Sequence, residues 1–74
     1  MTGEQFDALV KLMRGDPESA SNRAARRVLV DGITQAEAFR ETGATRSGVS
    51  NAVRRYLEAD RLMRGVYKVE KKEP

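Results

Sequence analysis

The segment GATRSGVSNAVRR, Gly43 to Arg55, decides how the fold of this chain is predicted. One glycine precedes a run of short polar side chains, a second glycine follows at Gly48, and the segment ends in two arginines. Such a run is too polar to fill a core. It predicts a tight turn at Gly43 followed by a helix that carries an exposed polar face.

The residues on either side of Gly43 have the pattern of a helix-turn-helix. Two helices that cross steeply need a residue that tolerates positive φ in the turn, and small or branched apolar residues at the crossing. Gly43 meets the first requirement, and Ala38 and Phe39 lie on the shorter helix before it. The inner face of the longer helix is formed by Val49, Ala52 and Val53.

The outer face of the longer helix has the chemistry of a surface that reads DNA. In a helix-turn-helix the first turns of this helix enter the major groove. Arg46 suits a bidentate contact to guanine, and Asn51 suits one to adenine. Short hydroxyl side chains supplement them, and the remaining polar residues are placed for phosphates, with Arg54 also within reach of a base. The candidate DNA-contacting residues are Gln35, Thr45, Arg46, Ser47, Ser50, Asn51, Arg54 and Arg55.

Two simpler interpretations of this segment stay open at this point. Many solvated helices show a face of Arg, Ser and Asn, although an unselected face more often uses the better helix formers Glu, Lys or Ala. Gly48 inside an exposed helix costs about 1 kcal/mol relative to alanine. Either Gly48 lets the helix backbone approach DNA or a neighbouring helix closely, or it is a weak helix position without a role.

Two further helices are predicted upstream of residue 33. Thr2 and Gln5 fit a capping box, and the apolar residues that follow recur at helical spacing up to Met13. This first helix is expected to end near Arg14, with Gly15 in the left-handed position after it. Asp16 then suits a helix cap, and Pro17 the first helical position. The apolar face of the second helix is formed by Ala20, Ala24, Ala25, Val28 and Leu29.

The segment VLVDGIT, residues 28–34, has two interpretations. Asp-Gly after three apolar residues is typical of a β-hairpin. A helix end at Gly32 is favoured for two reasons. Apolar residues recur at helical spacing in the alanine-rich segment before it, and a second capping box, Thr34 with Glu37, opens the next helix.

The C-terminal part of the chain is predicted less sharply. The last helix is expected to run to about Met63, with Tyr56, Leu57 and Met63 as core or partner-facing residues. Beyond Gly65, the weak alternation of Val66–Val69 leaves open a short strand before a frayed tail. The prediction is an all-α helix-turn-helix domain of about four helices at residues 1–64, and a short extension at residues 65–74 that forms a strand or a dimer contact.

Length and composition exclude several classes of protein. Seventy-four residues allow one domain at most, and the chain holds no cysteine and no histidine. The commonest zinc ligands and the commonest general base are therefore missing, and little room remains for a substrate pocket. We predict no enzyme, no metal, no cofactor and no small-molecule ligand. Because neither a signal pattern nor a membrane-spanning run is visible, we expect the cytoplasm and no membrane.

Charge is divided unevenly between the two halves of the chain. The formal net charge is +3. Residues 1–44 hold six basic and seven acidic side chains, net −1, whereas residues 45–74 hold eight basic and four acidic ones, net +4. This division suits a polyanionic partner for the second half, although basic side chains that merely coat a solvated helix would give the same count.

The order of these motifs closely resembles the KorA family of plasmid repressors, also called TrfB-related. The resemblance lies mainly in VLVDGITQAEAF, residues 28–39, followed by GATRSGVSNAVRR. Near the start, EQFDAL is similar to the family's first helix. A weaker similarity is seen in GVYKV. The resemblance covers roughly residues 2–57. It implies an all-helical domain that represses transcription by occupying palindromic operators in double-stranded DNA as a homodimer.

The resemblance also implies roles for individual residues. It puts Arg55 near the DNA backbone, and at the operator it puts Thr45, Arg46, Ser50, Asn51 and Arg54. The family's archetype has glutamine at the position of Asn51, so the preferred base is expected to differ. Few residues follow Met63, which leaves three arrangements open: strand pairing of Val66–Val69 across a two-fold axis, packing of the last helix against its mate, or binding as a monomer.

Two functions from different classes follow. The first is a sequence-specific transcriptional repressor that acts on operator DNA through residues 34–57. The alternative is a small helical adaptor that binds a component of the transcription or replication machinery through the apolar residues near its end.

Overall fold

The four predicted helices are all present in the computed structural model, which describes the backbone of residues 1–72 and the side chains of residues 1–65. They are α1 (Gly3–Leu12), α2 (Ala20–Leu29), α3 (Gln35–Thr42) and α4 (Arg46–Lys72). Residues 1–72 contain no β-strand. The all-α class is therefore confirmed. No helix of the described part is long and apolar enough to cross a membrane.

Both predicted capping boxes form at the helix starts. The N–H of Gln5 donates to Thr2 Oγ1 at 3.1 Å, and the N–H of Thr2 donates to Gln5 Oε1 at 2.9 Å. Thr34 and Glu37 repeat the arrangement at α3, at 3.1 and 3.3 Å. Each box satisfies two backbone donors that the first helical turn leaves without a partner. The local sequence therefore sets where α1 and α3 begin.

The end of α1 differs from the prediction, because the left-handed residue is Arg14 (φ 55°) and not Gly15. The N–H of Gly15 donates to the carbonyl of Val10 at 2.8 Å, and the N–H of Arg14 donates to that of Lys11 at 3.2 Å. This pair of bonds is a Schellman motif with Arg14 at C′. Glycine is needed one residue later for space, since a Cβ on Gly15 would lie 2.6 Å from Tyr56 Oη.

The start of α2 was also predicted wrongly, because Ser19 caps this helix and Asp16 does not. Ser19 Oγ accepts the N–H of Asn22 at 3.2 Å. Asp16 Oδ1 instead accepts the N–H of Glu18 at 2.9 Å, so Asp16 and Pro17 belong to a separate turn. An aspartate that bonds the backbone two residues ahead stabilises a turn in competition with a helix start.

The connection from α2 to α3 follows the favoured prediction. Helix α2 ends at Leu29 with Val30 as its cap, and Gly32 takes φ 77°. The hairpin alternative is not formed. The N–H of Asp31 donates to the carbonyl of Arg27 at 3.1 Å, which extends the helical hydrogen bonding into the turn.

Helix α4 continues past Met63 and past Gly65 to Lys72. The short strand left open at Val66–Val69 is therefore not formed, and these residues continue the helix. A lone strand has no neighbour to pair with, whereas helix propagation adds one hydrogen bond per residue. The division at residues 64–65 stays a prediction, and residues 73–74 of the expected tail lie outside the described residues.

The core is built from small residues where the helices cross. Phe6 packs against Tyr56 with ring centroids 4.8 Å apart, and alanines at the crossings let the backbones approach. The buried apolar residues are Phe6, Leu9, Val10, Ala24, Ala25, Ala38, Val49, Ala52, Val53 and Tyr56. Leu57 and Met63 do not join them, because their exposed fractions are 44% and 38%. Of the two predicted roles for these residues, the core is excluded.

Candidate nucleic-acid interface

Helices α3 and α4 are joined by a turn of three residues, 43–45. Gly43 has φ 75°, and its N–H donates to the carbonyl of Phe39 at 3.0 Å. Nothing lies within 4 Å of a Cβ built on Gly43, so the positive φ alone requires glycine here. Thr45 Oγ1 then accepts the N–H of Gly48 at 3.0 Å and caps α4. The predicted turn glycine and helix cap are both confirmed.

The first turns of α4 separate apolar from polar side chains. Val49, Ala52, Val53 and Tyr56 are buried against the other helices. Ser47, Asn51 and Arg54 lie on the opposite face, because residues three or four apart share a face of a helix. All eight predicted contact residues are exposed, namely Gln35, Thr45, Arg46, Ser47, Ser50, Asn51, Arg54 and Arg55.

Two of the longest side chains of this face, Arg54 and Arg46, are oriented by contacts to Asn51 and to Phe39 of α3. Arg54 Nη2 donates to Asn51 Oδ1 at 2.6 Å. Asn51 Oδ1 keeps a second lone pair, so this amide still has one acceptor site and both Nδ2 donors for a base. The guanidinium carbon of Arg46 lies 5.4 Å from the centroid of the Phe39 ring, a cation–π contact to α3.

The eight residues do not form one cluster, because Gln35 and Arg55 lie on opposite sides of α4. Gln35, at the start of α3, lines an open groove with Ser50 and Arg54. Arg55 instead lines a hollow beside the first turn of α2, together with Ser21. The polar face of α4 is therefore flanked by a potential anchoring group on each side.

The structure decides between the two interpretations of Gly48. A Cβ on this residue would lie 2.7 Å from Ser21 Oγ and 2.8 Å from Thr45 Oγ1. Glycine thus lets the start of α4 pack closely against the start of α2. The predicted close approach to a neighbouring helix is therefore present, while the approach of Gly48 to DNA stays a prediction.

Two of the three arginines on α2, Arg26 and Arg27, form ion pairs with carboxylates. Arg26 contacts Asp7 at 3.1 Å, which raises the pKa of Arg26 through hydrogen bonding. Arg27 contacts Glu41 at 2.7 Å, and its hydrogen bonds lower the pKa of the Glu41 carboxyl. These pairs fasten α1 and α3 to α2.

Other arginines remain available to an anion. In the part of the chain whose side chains are described, no carboxylate lies within 4 Å of a charged nitrogen of Arg46, Arg54 or Arg55. The positive charge of the first turns of α4 is therefore uncompensated. Across those same residues, no group of three His, Cys, Asp or Glu side chains is arranged to hold a metal ion.

Sequence reasoning missed three residues that the structure places beside Arg55. Arg14, Ser19 and Ser21 share its hollow. Their proximity depends on how the α1–α2 turn packs onto α4, and no periodicity or spacing in the sequence reports that packing. The one available signal was Gly15, whose small size permits the close approach.

Comparison with known proteins identifies one family. Residues 1–71 match the model of a family described as TrfB plasmid transcriptional repressor, KORA. No curated protein matches the chain. No solved structure matches it either. The matched residues include parts of all four helices and contain both Gln35 and Arg55, which lie on either side of α4.

Proposed function

Because the chain belongs to the KorA family of TrfB plasmid transcriptional repressors, we propose that it binds operator DNA sequence-specifically through a helix-turn-helix formed by α3 and α4. One observation carries this proposal. The first turns of α4 bury apolar residues on one face and present an uncompensated basic, polar face on the other. A helix with this division fits the major groove, where side chains at its N-terminal end reach base edges. Action on plasmid DNA places the protein in the cytoplasm.

Within this proposal, Arg46 and Asn51 supply the specificity. Arg46 reads guanine through O6 and N7, while the Asn51 amide reads adenine through N6 and N7. The contact between Arg54 and Asn51 orders the amide before DNA arrives, which reduces the entropy lost on binding. Thr45, Ser47 and Ser50 add hydroxyl contacts.

The flanking residues position the reading face. Gln35 donates to a phosphate from the start of α3, and Arg55 holds the backbone on the other side of α4. Such contacts add affinity for every sequence and set the register of the helix in the groove.

The proposed functional unit is a homodimer on a palindromic operator. The described part of α4 beyond Tyr56 exposes Leu57, Leu62 and Met63, with 66% of Leu62 accessible. These side chains supply apolar surface to a second copy of the chain. Half-sites are then expected one helical turn of DNA apart, or a multiple of it.

A titration with paired duplexes tests the repressor proposal. One fluorescent duplex carries the region upstream of the protein's own gene, and the other is a scrambled duplex of equal length. Arg46→Ala and Asn51→Ala should each lower discrimination between them by about 1–3 kcal/mol, with scrambled binding nearly unchanged. Arg64→Ala is the matched control, because Arg64 pairs with Asp60 farther along α4.

The exposed apolar residues of α4 also favour a second candidate, a helical adaptor that binds another protein. The two candidates give different results in this titration. An adaptor would show no preference between the duplexes and would lose its protein partner on Leu62→Glu. A preference for the upstream duplex that disappears in Asn51→Ala would exclude the adaptor as the main function.

A further inference from the structure

The hollow beside Arg55 is separate from the base-reading face of α4. It opens between the α1–α2 turn, the first turn of α2 and one side of α4. Its lining includes Arg14, Asp16, Ser19, Ser21, Arg55 and Tyr56. Two segments that are distant in sequence, residues 13–22 and α4, thus converge on one concave surface.

A buried hydroxyl at this hollow has no hydrogen-bond partner. Tyr56 has 0% exposure, and among the described residues its Oη is a buried side-chain atom without any partner. The tight approach of Gly15 leaves no space for a side chain between this loop and Oη. Leaving a buried donor unpaired is unfavourable, so an acceptor supplied from the hollow would be stabilised there.

The first turn of α2 offers further donors to the same hollow. Ser19 Oγ accepts the N–H of Asn22, and the Ser19 carbonyl accepts the N–H of Arg23. In the described part of the chain, the N–H groups of Ala20 and Ser21 have no acceptor. Free N–H groups and the helix dipole together favour an anion at this position.

The charge at the hollow is positive. Arg14 and Arg55 contribute two guanidinium groups and Asp16 one carboxylate, which already accepts the N–H of Glu18. Arg14 also occupies the left-handed region, where glycine is more favourable. Arg14 therefore brings charge to the hollow at the expense of local backbone free energy.

The position of the hollow identifies the source of the anion. Ser21 lies against Gly48, at the start of the helix proposed to enter the major groove, and Gln35 lies on the opposite side of that helix. The major groove is about 12 Å wide and is bordered by the phosphate backbones of both strands. A helix seated in it therefore meets one backbone on each side.

We infer that the hollow formed by Arg14, the first turn of α2, Arg55 and Tyr56 binds one phosphate of the operator backbone, on the strand opposite to that met by Gln35. This inference rests on the proposed function and extends the DNA contact beyond the helix-turn-helix to the α1–α2 turn. The two arginines neutralise the phosphate and the α2 N–H groups donate to its oxygens. Tyr56 Oη, which is covered in the free protein, donates to the phosphate once a small shift of the α1–α2 turn uncovers it.

The test combines protein variants with DNA in which single phosphates are neutral. Arg14→Gln, Arg55→Gln and Tyr56→Phe are titrated with the upstream and scrambled duplexes at several salt concentrations. Each arginine variant should bind both duplexes more weakly at low salt, and the double variant Arg14→Gln with Arg55→Gln should reduce the salt slope by about 0.9, the value for one phosphate. Tyr56→Phe should weaken both duplexes without changing the slope, because it removes no charge.

A methylphosphonate scan of the upstream duplex locates the contact. At one position, the neutral linkage should weaken wild-type binding but leave the double variant Arg14→Gln with Arg55→Gln unaffected, and each single variant should lose less affinity than the wild type. Gln35→Ala is the matched control and should remain sensitive at that position, since it acts on the other strand. Arg64→Gln controls for net charge, because it lies about 13 Å from Arg55 along α4.

Three results separate the inference from the proposed function. Wild-type protein without any duplex preference would refute sequence-specific repression, while the salt slopes of the variants would still test the hollow. A clear wild-type preference with unchanged affinities and slopes for Arg14→Gln and Tyr56→Phe would overturn the inference alone. Protection of the wild type against thermal unfolding by inorganic phosphate, with DNA binding of all three variants intact, would also overturn it in favour of a free-anion site.

Discussion

Replacing Tyr56 by phenylalanine should make the free protein more stable. The substitution removes one oxygen from a ring that is fully buried against Phe6 and keeps the rest of the ring. Because Oη has no partner among the described residues, the substitution removes no hydrogen bond within them. The desolvation cost of an unpartnered hydroxyl is about 1–3 kcal/mol, so the free energy of unfolding should rise by about 1 kcal/mol or more. For a chain of this size, that corresponds to about 4–8 °C in Tm.

Urea denaturation followed by circular dichroism measures this effect without DNA. Thr34→Ala is a suitable control, since it removes a hydroxyl that accepts the N–H of Glu37 at 3.1 Å. Loss of this cap should lower the free energy of unfolding by about 1 kcal/mol, the opposite sign. If Tyr56→Phe instead lowers the free energy of unfolding by more than about 0.5 kcal/mol, Oη has a partner in the free protein. That result would refute the reasoning about the hollow.

Three other substitutions test the packing and charges around the interface. Gly15→Ala places a Cβ 2.6 Å from Tyr56 Oη, so urea denaturation should show a free energy of unfolding lower by about 1–3 kcal/mol. The double variant with Tyr56→Phe should recover part of that free energy, because it removes the oxygen that the Cβ meets. Arg14→Gly should raise Tm, because glycine adopts the left-handed region at lower cost than arginine. The same variant should bind DNA more weakly in the duplex titration. A lower Tm together with weaker DNA binding would instead assign Arg14 a structural role. Glu41→Gln removes a carboxyl whose pKa Arg27 holds below its ordinary 4.5. The stability that the Glu41 carboxylate contributes is present above its unfolded pKa and is lost as pH falls through its folded pKa. The free energies of unfolding of wild type and variant should therefore converge on acidification. A constant difference between them down to low pH would contradict the pairing with Arg27.

Local hydrogen bonding explains why much of the fold was predictable. Thr2, Thr34 and Thr45 each accept a backbone N–H three residues ahead, so a few adjacent residues set the start of a helix. Similarly, the positive φ at residue 43 requires glycine whatever surrounds it. The order of helices and the polar face of α4 follow from such local rules together with helical period.

Two features that the sequence did not predict concern Gly15 and Asn22, whereas the wrong helix cap at Asp16 arose from a local turn. Gly15 has the sequence context of a left-handed helix end, but Tyr56 forty-one residues later requires it for space, and Arg14 takes the strained conformation instead. Asn22 gave no sequence signal, although it is buried and its Nδ2 donates to the carbonyl of Asp16 at 2.7 Å. The first arrangement depends on how the α1–α2 turn meets α4, and the second on how that turn folds back onto α2, so neither follows from helical spacing.

If the hollow binds phosphate as proposed, the same packing couples the stability of the N-terminal helix to DNA binding. Tyr56 connects two surfaces, since its ring contacts Phe6 of α1 while its hydroxyl lies at the hollow proposed to bind phosphate. A ligand that binds only the folded state stabilises it by mass action. A phosphate in the hollow would do so most strongly at the α1–α2 turn, where it offsets the strain at Arg14 and supplies the missing partner of Tyr56. Hydrogen exchange at the amides of α1 should therefore slow on addition of operator DNA, although α1 lies outside the helix-turn-helix, and this slowing should be lost in Arg55→Gln at equal DNA occupancy.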